Sequence, residues 1–399
     1  MLATVACNPK SLKKGYCNTS TDCAVDETCN SGTRKCERKT DGSVDHAEAG
    51  VDGSDADGSD AMDARDASDV GEAPPPTCRT QPMLCADGGY DGSPGVCEAD
   101  AGICVQCLMD SHCAGSPKTP ICDARLCRAC KTDAECPDPT ICMADGHCAT
   151  VDEVMFVEFN SNGCPGATGR STNPYCLPND AVTRIASGKN VIVIRGPVAD
   201  RLTLNTTGFS PVVIGKNSAS IPATAAIAIQ VLSDTVLIRD LTVTGGTAAT
   251  SKGIIVSGAT TALTLSNVQV SVGTGLGIQA DTGAQLTMDQ CTVSGNNKGG
   301  VLIDGATFDL KNVTVTANGP GDDMGAAWGG LRIKNLATGK RSLDMLPVTN
   351  NNQVGVSCAA SVDATRVLVS GSAGGVEISP SCQFNSCGTS VTASCGAQP

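Results

Sequence analysis

One eight-residue pattern, apolar-x-apolar-x-polar-apolar-x-apolar, recurs five times in the C-terminal half of this chain and limits its fold more than any other feature. The copies start at Val236, Leu263, Leu286, Phe308 and Val362 and read VLIRDLTV, LTLSNVQV, LTMDQCTV, FDLKNVTV and VDATRVLV. Alternation with period two marks short strands that bury one face. The starts lie 27, 23 and 22 residues apart, and the last gap of 54 holds two turns. A period of this size marks a solenoid whose units stack their apolar faces. Coils made only of strands give a parallel β-helix, so the fold is expected to be mainly β.

A second strand in each coil reads Gly-apolar-x-apolar, with copies at Gly253, Gly275, Gly300, Gly330 and Gly375 and one at Gln353. Stacked in that register, Ile254, Val256, Leu276, Ile278, Val301, Ile303, Leu331, Ile333, Val354, Val356, Val376 and Ile378 face inward. In the first ladder Cys291 occupies the column held elsewhere by Leu241, Val268, Val313 and Val367. It is therefore expected to be a buried thiol acting as a small hydrophobe. The polar residue before that column (Asp240, Asn267, Gln290 or Asn312) is expected to turn the chain and to hydrogen-bond from coil to coil. Only 2% of residues are aromatic, so the core must come from Val, Ile, Leu and Ala. Small β-branched residues suit a narrow solenoid interior.

The chain holds 24 cysteines, which implies an oxidising compartment and a disulfide framework. They form modules of four: Cys17, Cys23, Cys29 and Cys36; then Cys107, Cys113, Cys122 and Cys127; then Cys130, Cys136, Cys142 and Cys148. A looser copy uses Cys78, Cys85, Cys97 and Cys104. Units this small need staples, two per module, and spacing alone leaves the pairing open. The pairs Cys104-x2-Cys107 and Cys127-x2-Cys130 match the spacing of a four-thiolate zinc site. Both, however, straddle module junctions and leave Cys113 and Cys122 without a role, so disulfides are expected and metal is not. Cys164 and Cys176 are expected to close a loop, and Cys358, Cys382, Cys387 and Cys395 to staple the C-terminal end.

The net charge of −13 is concentrated in residues 41–72, which carry eleven Asp or Glu against one Arg. That Pro-ended stretch is too polar to bury a core and is expected to be a disordered linker. Asp55-Ala56-Asp57-Gly58 within it lacks the register of a calcium loop. No basic patch argues for nucleic acid, and no run of 18 apolar residues argues for a membrane span. Residues 1–6 (MLATVA) are too short for a secretory signal. They resemble the tail of a bacterial lipoprotein signal, with Thr4 where Leu is preferred. That resemblance implies lipid modification of Cys7 and a true start upstream of Met1; the alternative is that Cys7 is an ordinary disulfide cysteine.

The segment GCPGATGRSTNPYCLPNDAVTRIASGKNVIVIRGP, with Asn173-Pro174-Tyr175-Cys176, resembles the opening of secreted right-handed β-helix proteins of the pectate-lyase-like fold. The resemblance implies a capping helix over residues 181–186, N-capped by Asn179 or Asp180 and ended at Gly188, then a first strand at 191–194. Many such proteins are polysaccharide hydrolases or lyases. Gly321-Asp322-Asp323 and Arg332-Ile333-Lys334 resemble pieces of the polygalacturonase motif set, whose carboxylates act as general acid and base. The spacing is wrong, an Asn-Thr-Asp motif is missing, and no histidine follows His147. Arg332 and Lys334 also fall on outward ladder positions, with Asp304 in the column of Lys334, where a surface ion pair is expected.

The excursion over residues 317–328 contains Asp322, Asp323 and the only tryptophan, Trp328. Trp328 either stacks on a sugar or caps its loop against the sheet. Together with Asp304, Arg332 and Lys334, these residues are the sequence's candidate ligand contacts. The layout resembles myxobacterial cell-surface lipoproteins. It comprises a signal remnant and first module (1–36), a linker (37–77), three modules (78–150) and a β-helix (151–399). The expectation is a secreted or lipid-anchored surface protein that binds a polysaccharide or other surface ligand, without cofactor, nucleic-acid partner or catalysis. A carbohydrate-active enzyme and a ligand or inhibitor function in the modules are the alternatives.

Overall fold

The computed structural model describes the strand pair 27–30 and 35–38, then 95–98, 103–159 and 164–373, and finally 378–379, 382–384 and 392–393. Short interruptions fall at 114, 116–117, 224–225, 233–234, 247–249, 322–327, 336 and 360. Residues 1–75 and 76–399 form separate compact units.

The second unit contains a right-handed parallel β-helix of about seven turns. Each central coil runs through three strands. The first two belong to one large sheet and the third to a seven-stranded sheet running from Leu202–Leu204 to Val354–Cys358. The repeated phrase spans the first two strands, as in Val236 paired with Leu263, and Leu263 with Leu286. Its polar residue is the corner. Asp240, Asn267, Gln290 and Asn312 all have φ between 53° and 58°, a left-handed conformation that Asn and Asp tolerate better than most residues. Asn267 donates to Asp240 across coils (2.8 Å), whereas Asn312 reaches Asp289 rather than Gln290.

A coil that the phrase does not reveal lies in Arg341–Thr349, where Leu343 and Leu346 pair with Ala364 and Val367. Arg341 stands at its first apolar position and Met345 at its corner, so neither letter fits, yet Met345 adopts φ 49°. Backbone stacking overrides the local preference.

The second ladder needs a correction. Ile254 pairs with Ile278, and Ile278 with Val301; Leu331 pairs with both Val301 and Val356. The equivalent glycines are thus Gly253, Gly277, Gly300, Gly330 and Gly355. Leu276 and Val354 sit one pair earlier and leave the main core, while Ala280 and Cys358 enter it. Val376 lies outside the described residues, and Ile378 is partly buried against the core. The reason for glycine is close approach. A Cβ on Gly300 would stand 2.6 Å from the Gly330 oxygen and 2.9 Å from Asn318 Nδ2.

That asparagine belongs to a ladder that the sequence reading missed. Asn296, Asn318 and Asn351 are fully buried. Asn296 Nδ2 donates to Asn318 Oδ1 (2.8 Å) and Asn318 Nδ2 to Asn351 Oδ1 (3.0 Å). Each also donates to a strand carbonyl of the preceding coil, that of Val270, Val293 or Val315. The amides thereby satisfy backbone groups at a buried corner.

The opening segment starts earlier than expected. Its first strand is Val154–Glu158, parallel to Val191–Pro197. The cap helix is Pro178–Val182 rather than 181–186, because Pro178 at its first turn presets the helical φ. Asn179 is inside it and accepts from the Thr203 amide instead of capping. Among the described residues no helix is long and apolar enough to cross a membrane.

The modules resolve the open pairing. Cys107–Cys122 and Cys113–Cys127 are bonded, as are Cys130–Cys142 and Cys136–Cys148. The order is first-to-third and second-to-fourth, although the third and fourth cysteines face each other across a hairpin, as Cys122 and Cys127 do. The four thiols with zinc-like spacing are all disulfide sulfurs. Cys97 and Cys104 are disulfide-bonded as well, and Cys164–Cys176 and Cys358–Cys382 close the loops at either end of the solenoid. Cys7, Cys17, Cys23, Cys78, Cys85, Cys387 and Cys395 lie outside the described residues, and for Cys29 and Cys36 only the strand pairing is described.

Candidate functional site

Among the described residues expected to contact a ligand around the long turn, the tryptophan is not open to solvent. Trp328 begins the strand Trp328–Lys334 and is 1% exposed. Its ring packs with Leu276 and Leu302 and lies over Gly299 and Gly321. The indole face is covered, so it caps the turn and offers no platform for a sugar. The signal that misled was the rarity of tryptophan, which marks a large buried side chain as readily as a contact. Lys334 Nζ lies 3.0 Å from Asp304 Oδ2, and Asn335 donates to the other carboxylate oxygen. Arg332 pairs in register with Leu302 on the same outer face. Asp322 and Asp323 lie outside the described residues.

A different site lies where the last cysteine module meets the first coils. Outward residues of the strands Val154–Glu158, Val191–Pro197 and Val212–Ala223 form two rows. Phe156, Val193 and Ile214 are in one register row, and Glu158, Arg195 and Lys216 in the next. The apolar row is buried beneath Ile141 and Ala149 of the module, with Met143 and Val212 at the margin. This is the continuous-apolar-run signature of a strand covered on both faces. It was readable in VMFVE and VIVIR, but the covering partner was not.

Asp133 fixes the module in place. Its carboxylate meets Lys216 Nζ and Arg239 Nη2 (2.8 Å for the arginine) and accepts the Cys142 amide at 2.9 Å. Arg239 also donates to the Cys142 carbonyl. Burial alone would raise the Asp133 pKa, but hydrogen bonds from Arg239 and Lys216 outweigh it and hold the carboxyl below its ordinary value. The preceding module repeats the same internal bond, from Cys122 N to Asp110 Oδ1.

Beside this clamp a cleft of about 660 Å³ opens, lined by Asp133, Asp138, Thr140, Phe156, Glu158, Arg195, Lys216 and Asn217 among others. Arg195 lies 4.2 Å over the Phe156 ring, and its Nη atoms donate to the Ser171 carbonyl (3.1 Å) and hydroxyl (2.8 Å). Ring contact and two hydrogen bonds fix the guanidinium, and among the described residues no carboxylate pairs with it. Glu158 is its register neighbour, both Glu158 and Asp138 are exposed, and among the described residues neither has an ionic partner. The cleft therefore brings one oriented guanidinium together with two solvent-exposed carboxylates.

Residues 252–397 match the family model described as right handed beta helix region. Among curated proteins none matches the chain. Of solved structures, the Dettilon tailspike protein is similar over 49% of this chain and 39% of its own, at 15% identity and a TM-score of 0.34. The chain thus spans well under half of that tailspike. Pectate lyase Pel9A is similar over 61% of this chain and 82% of its own, at 12% identity and a TM-score of 0.34.

Proposed function

We propose that the protein is an extracellular binding protein held at a cell surface, in which the β-helix is a rigid scaffold and the cleft beneath the last module receives the ligand. The observation that carries this reading is the formed cleft, in which Arg195, held over Phe156 and by Ser171, converges with the Glu158 and Asp138 carboxylates. Convergent polar groups in a formed pocket are what recognition requires. The extracellular setting is supported by fourteen disulfide-bonded cysteines against one free thiol, Cys291, among the described ones. A lipid anchor at Cys7, of the kind found on myxobacterial surface proteins, would supply the attachment.

A surface polysaccharide is the ligand class to test first. The full chain is incubated with whole cells and with insoluble polysaccharides, and the retained fraction and any released sugar are measured. Retention by at least one surface, lost in Arg195→Gln and without sugar release, is the expected outcome. Retention by none, or retention indifferent to Arg195→Gln, overturns the reading. Sustained release of sugar would move the protein to the carbohydrate-active enzymes.

A further inference from the structure

We infer that the group seated in this cleft is a zwitterion, one small moiety carrying both an oxyanion and an ammonium, as in a free α-amino acid or a short peptide with both ends free. This rests on the cleft's being the binding site and adds the chemistry it selects. Lys216 and Arg239 share the Asp133 carboxylate, and Arg239 also meets Asp240, so these four charges balance among themselves. What remains to meet a ligand is the Arg195 guanidinium with the Glu158 and Asp138 carboxylates.

Each simple ligand fails on one of these groups. A plain oxyanion would reach Arg195 but would face two carboxylates with nothing to offer them. A plain cation would satisfy Glu158 and Asp138 but would sit against the like charge of the Arg195 guanidinium. A neutral sugar can hydrogen-bond to all three groups through its hydroxyls, but it matches the charge of none of them. A zwitterion satisfies both signs at once.

The geometry is suited to discriminate. Glu158 and Arg195 occupy paired positions on adjacent parallel strands, so their backbones are about 4.8 Å apart. Arg195 is engaged by its two bonds to Ser171 and its contact with Phe156 rather than by Glu158. The intramolecular ion pair that would silence both groups is thereby avoided, and the guanidinium is ordered before any ligand arrives, which lowers the cost of binding. The cleft volume, about 660 Å³, lies in the range of small-molecule sites.

The test is calorimetric titration of the full chain with alanine, alanyl-alanine, N-acetylalanine and alanine amide. Alanine or alanyl-alanine should bind, and the comparison of the two separates a free amino acid from a peptide as the natural source. Blocking either charge should weaken binding about tenfold or more, the size of one lost charge-assisted contact. In the double variant Glu158→Gln with Asp138→Asn the free and N-acetylated forms should bind alike. In Arg195→Lys, which keeps the charge but loses the fork, sensitivity to the carboxylate should fall while sensitivity to the amine persists. Equal binding of all four probes, or binding of none while the chain is still retained by a polysaccharide in an Arg195-dependent way, overturns the zwitterion and leaves the proposed function intact. Binding of no probe and no surface overturns both.

Discussion

A cysteine module and a solenoid coil are both units of some twenty residues, too small to bury a core alone, and they meet this problem in opposite ways. The module over residues 130–148 is closed by two crossed disulfides, and its buried cluster is little more than Cys130, Cys136 and Cys142 with Ile121 from the preceding module. A central coil has no covalent staple. It stacks Val, Ile and Leu columns on its neighbours and routes its buried polar groups through Asn296, Asn318 and Asn351. The module is held by bonds within itself, and the coil by what lies above and below it. A cysteine therefore means different things in the two regions: a cross-link in the module, and a small apolar side chain at position 291 of the solenoid.

Reduction without denaturant should separate the two regions most sharply. Disulfides of the modules span 12 to 15 residues, and each contributes roughly 3 kcal/mol, more than so small a unit holds in reserve. Hydrogen exchange should then show residues 107–148 losing protection while the strands between Thr235 and Thr316 keep theirs. Loss of protection in both regions at one reductant concentration would show that the coils depend on the docked module.

The converse perturbation is Asn318→Ala. It strips partners from the Asn296 amide and side chain and from the Val293 carbonyl, all buried. A cost on the order of 3 kcal/mol is expected, read as a lower denaturation midpoint of the coils with intact module disulfides. An effect under about 1 kcal/mol would mean that the apolar columns alone hold the stack.

How far each region was legible follows from the same contrast. Period-two alternation exposed the stacking phrase because an apolar column constrains every coil alike. Its register was lost at Leu276 and Val354, where a slip of one pair keeps the parity of the face and so leaves no trace in the pattern. The Arg341–Thr349 coil was hidden because Met345 takes a corner conformation through stacking, not through its own preference. Tryptophan rarity pointed to Trp328, whose burial depends on Leu276 and Leu302 from other coils. The cleft was unreadable for a related reason. Asp133 and Lys216 are 83 residues apart, and nothing local in either segment names the other.

The junction between the regions is sensitive to acid. The folded-state Asp133 carboxyl titrates below its unfolded value. Its stabilisation is present above that unfolded value, near pH 4, and is lost as pH falls through the folded one. The loss should amount to about 1–2 kcal/mol, the worth of charge-assisted bonds at a partly buried site. Denaturation of the wild type across pH 2 to 7, followed through residues 130–148, should show this decline, and Asp133→Asn should flatten it. An unchanged profile in Asp133→Asn would assign the acid sensitivity to other carboxylates, such as Glu135, which Arg128 holds at about 2.

The smallest effect belongs to Cys291, and it tests the comparison at its finest grain. The thiol is 1% exposed, free of any disulfide, and its column neighbours are Val268 and Val313. Burial is the main cause that pushes its pKa up to about 11, so at neutral pH the reactive thiolate is scarce as well as inaccessible. Alkylation of native protein should leave Cys291 untouched from pH 7 to 9, and denaturation without reductant should expose it as a single reactive thiol within residues 164–373. Cys291→Val should cost about 1 kcal/mol or less, because the column already accepts that side chain, and the weak Sγ–H bond to the Asp289 carbonyl (3.3 Å) is all that is lost. The same substitution at Cys136, with Cys148 left unpaired, should cost several times more. If the two substitutions cost the same, cysteine would be serving one role in both regions, and the division between cross-linked modules and stacked coils would fail.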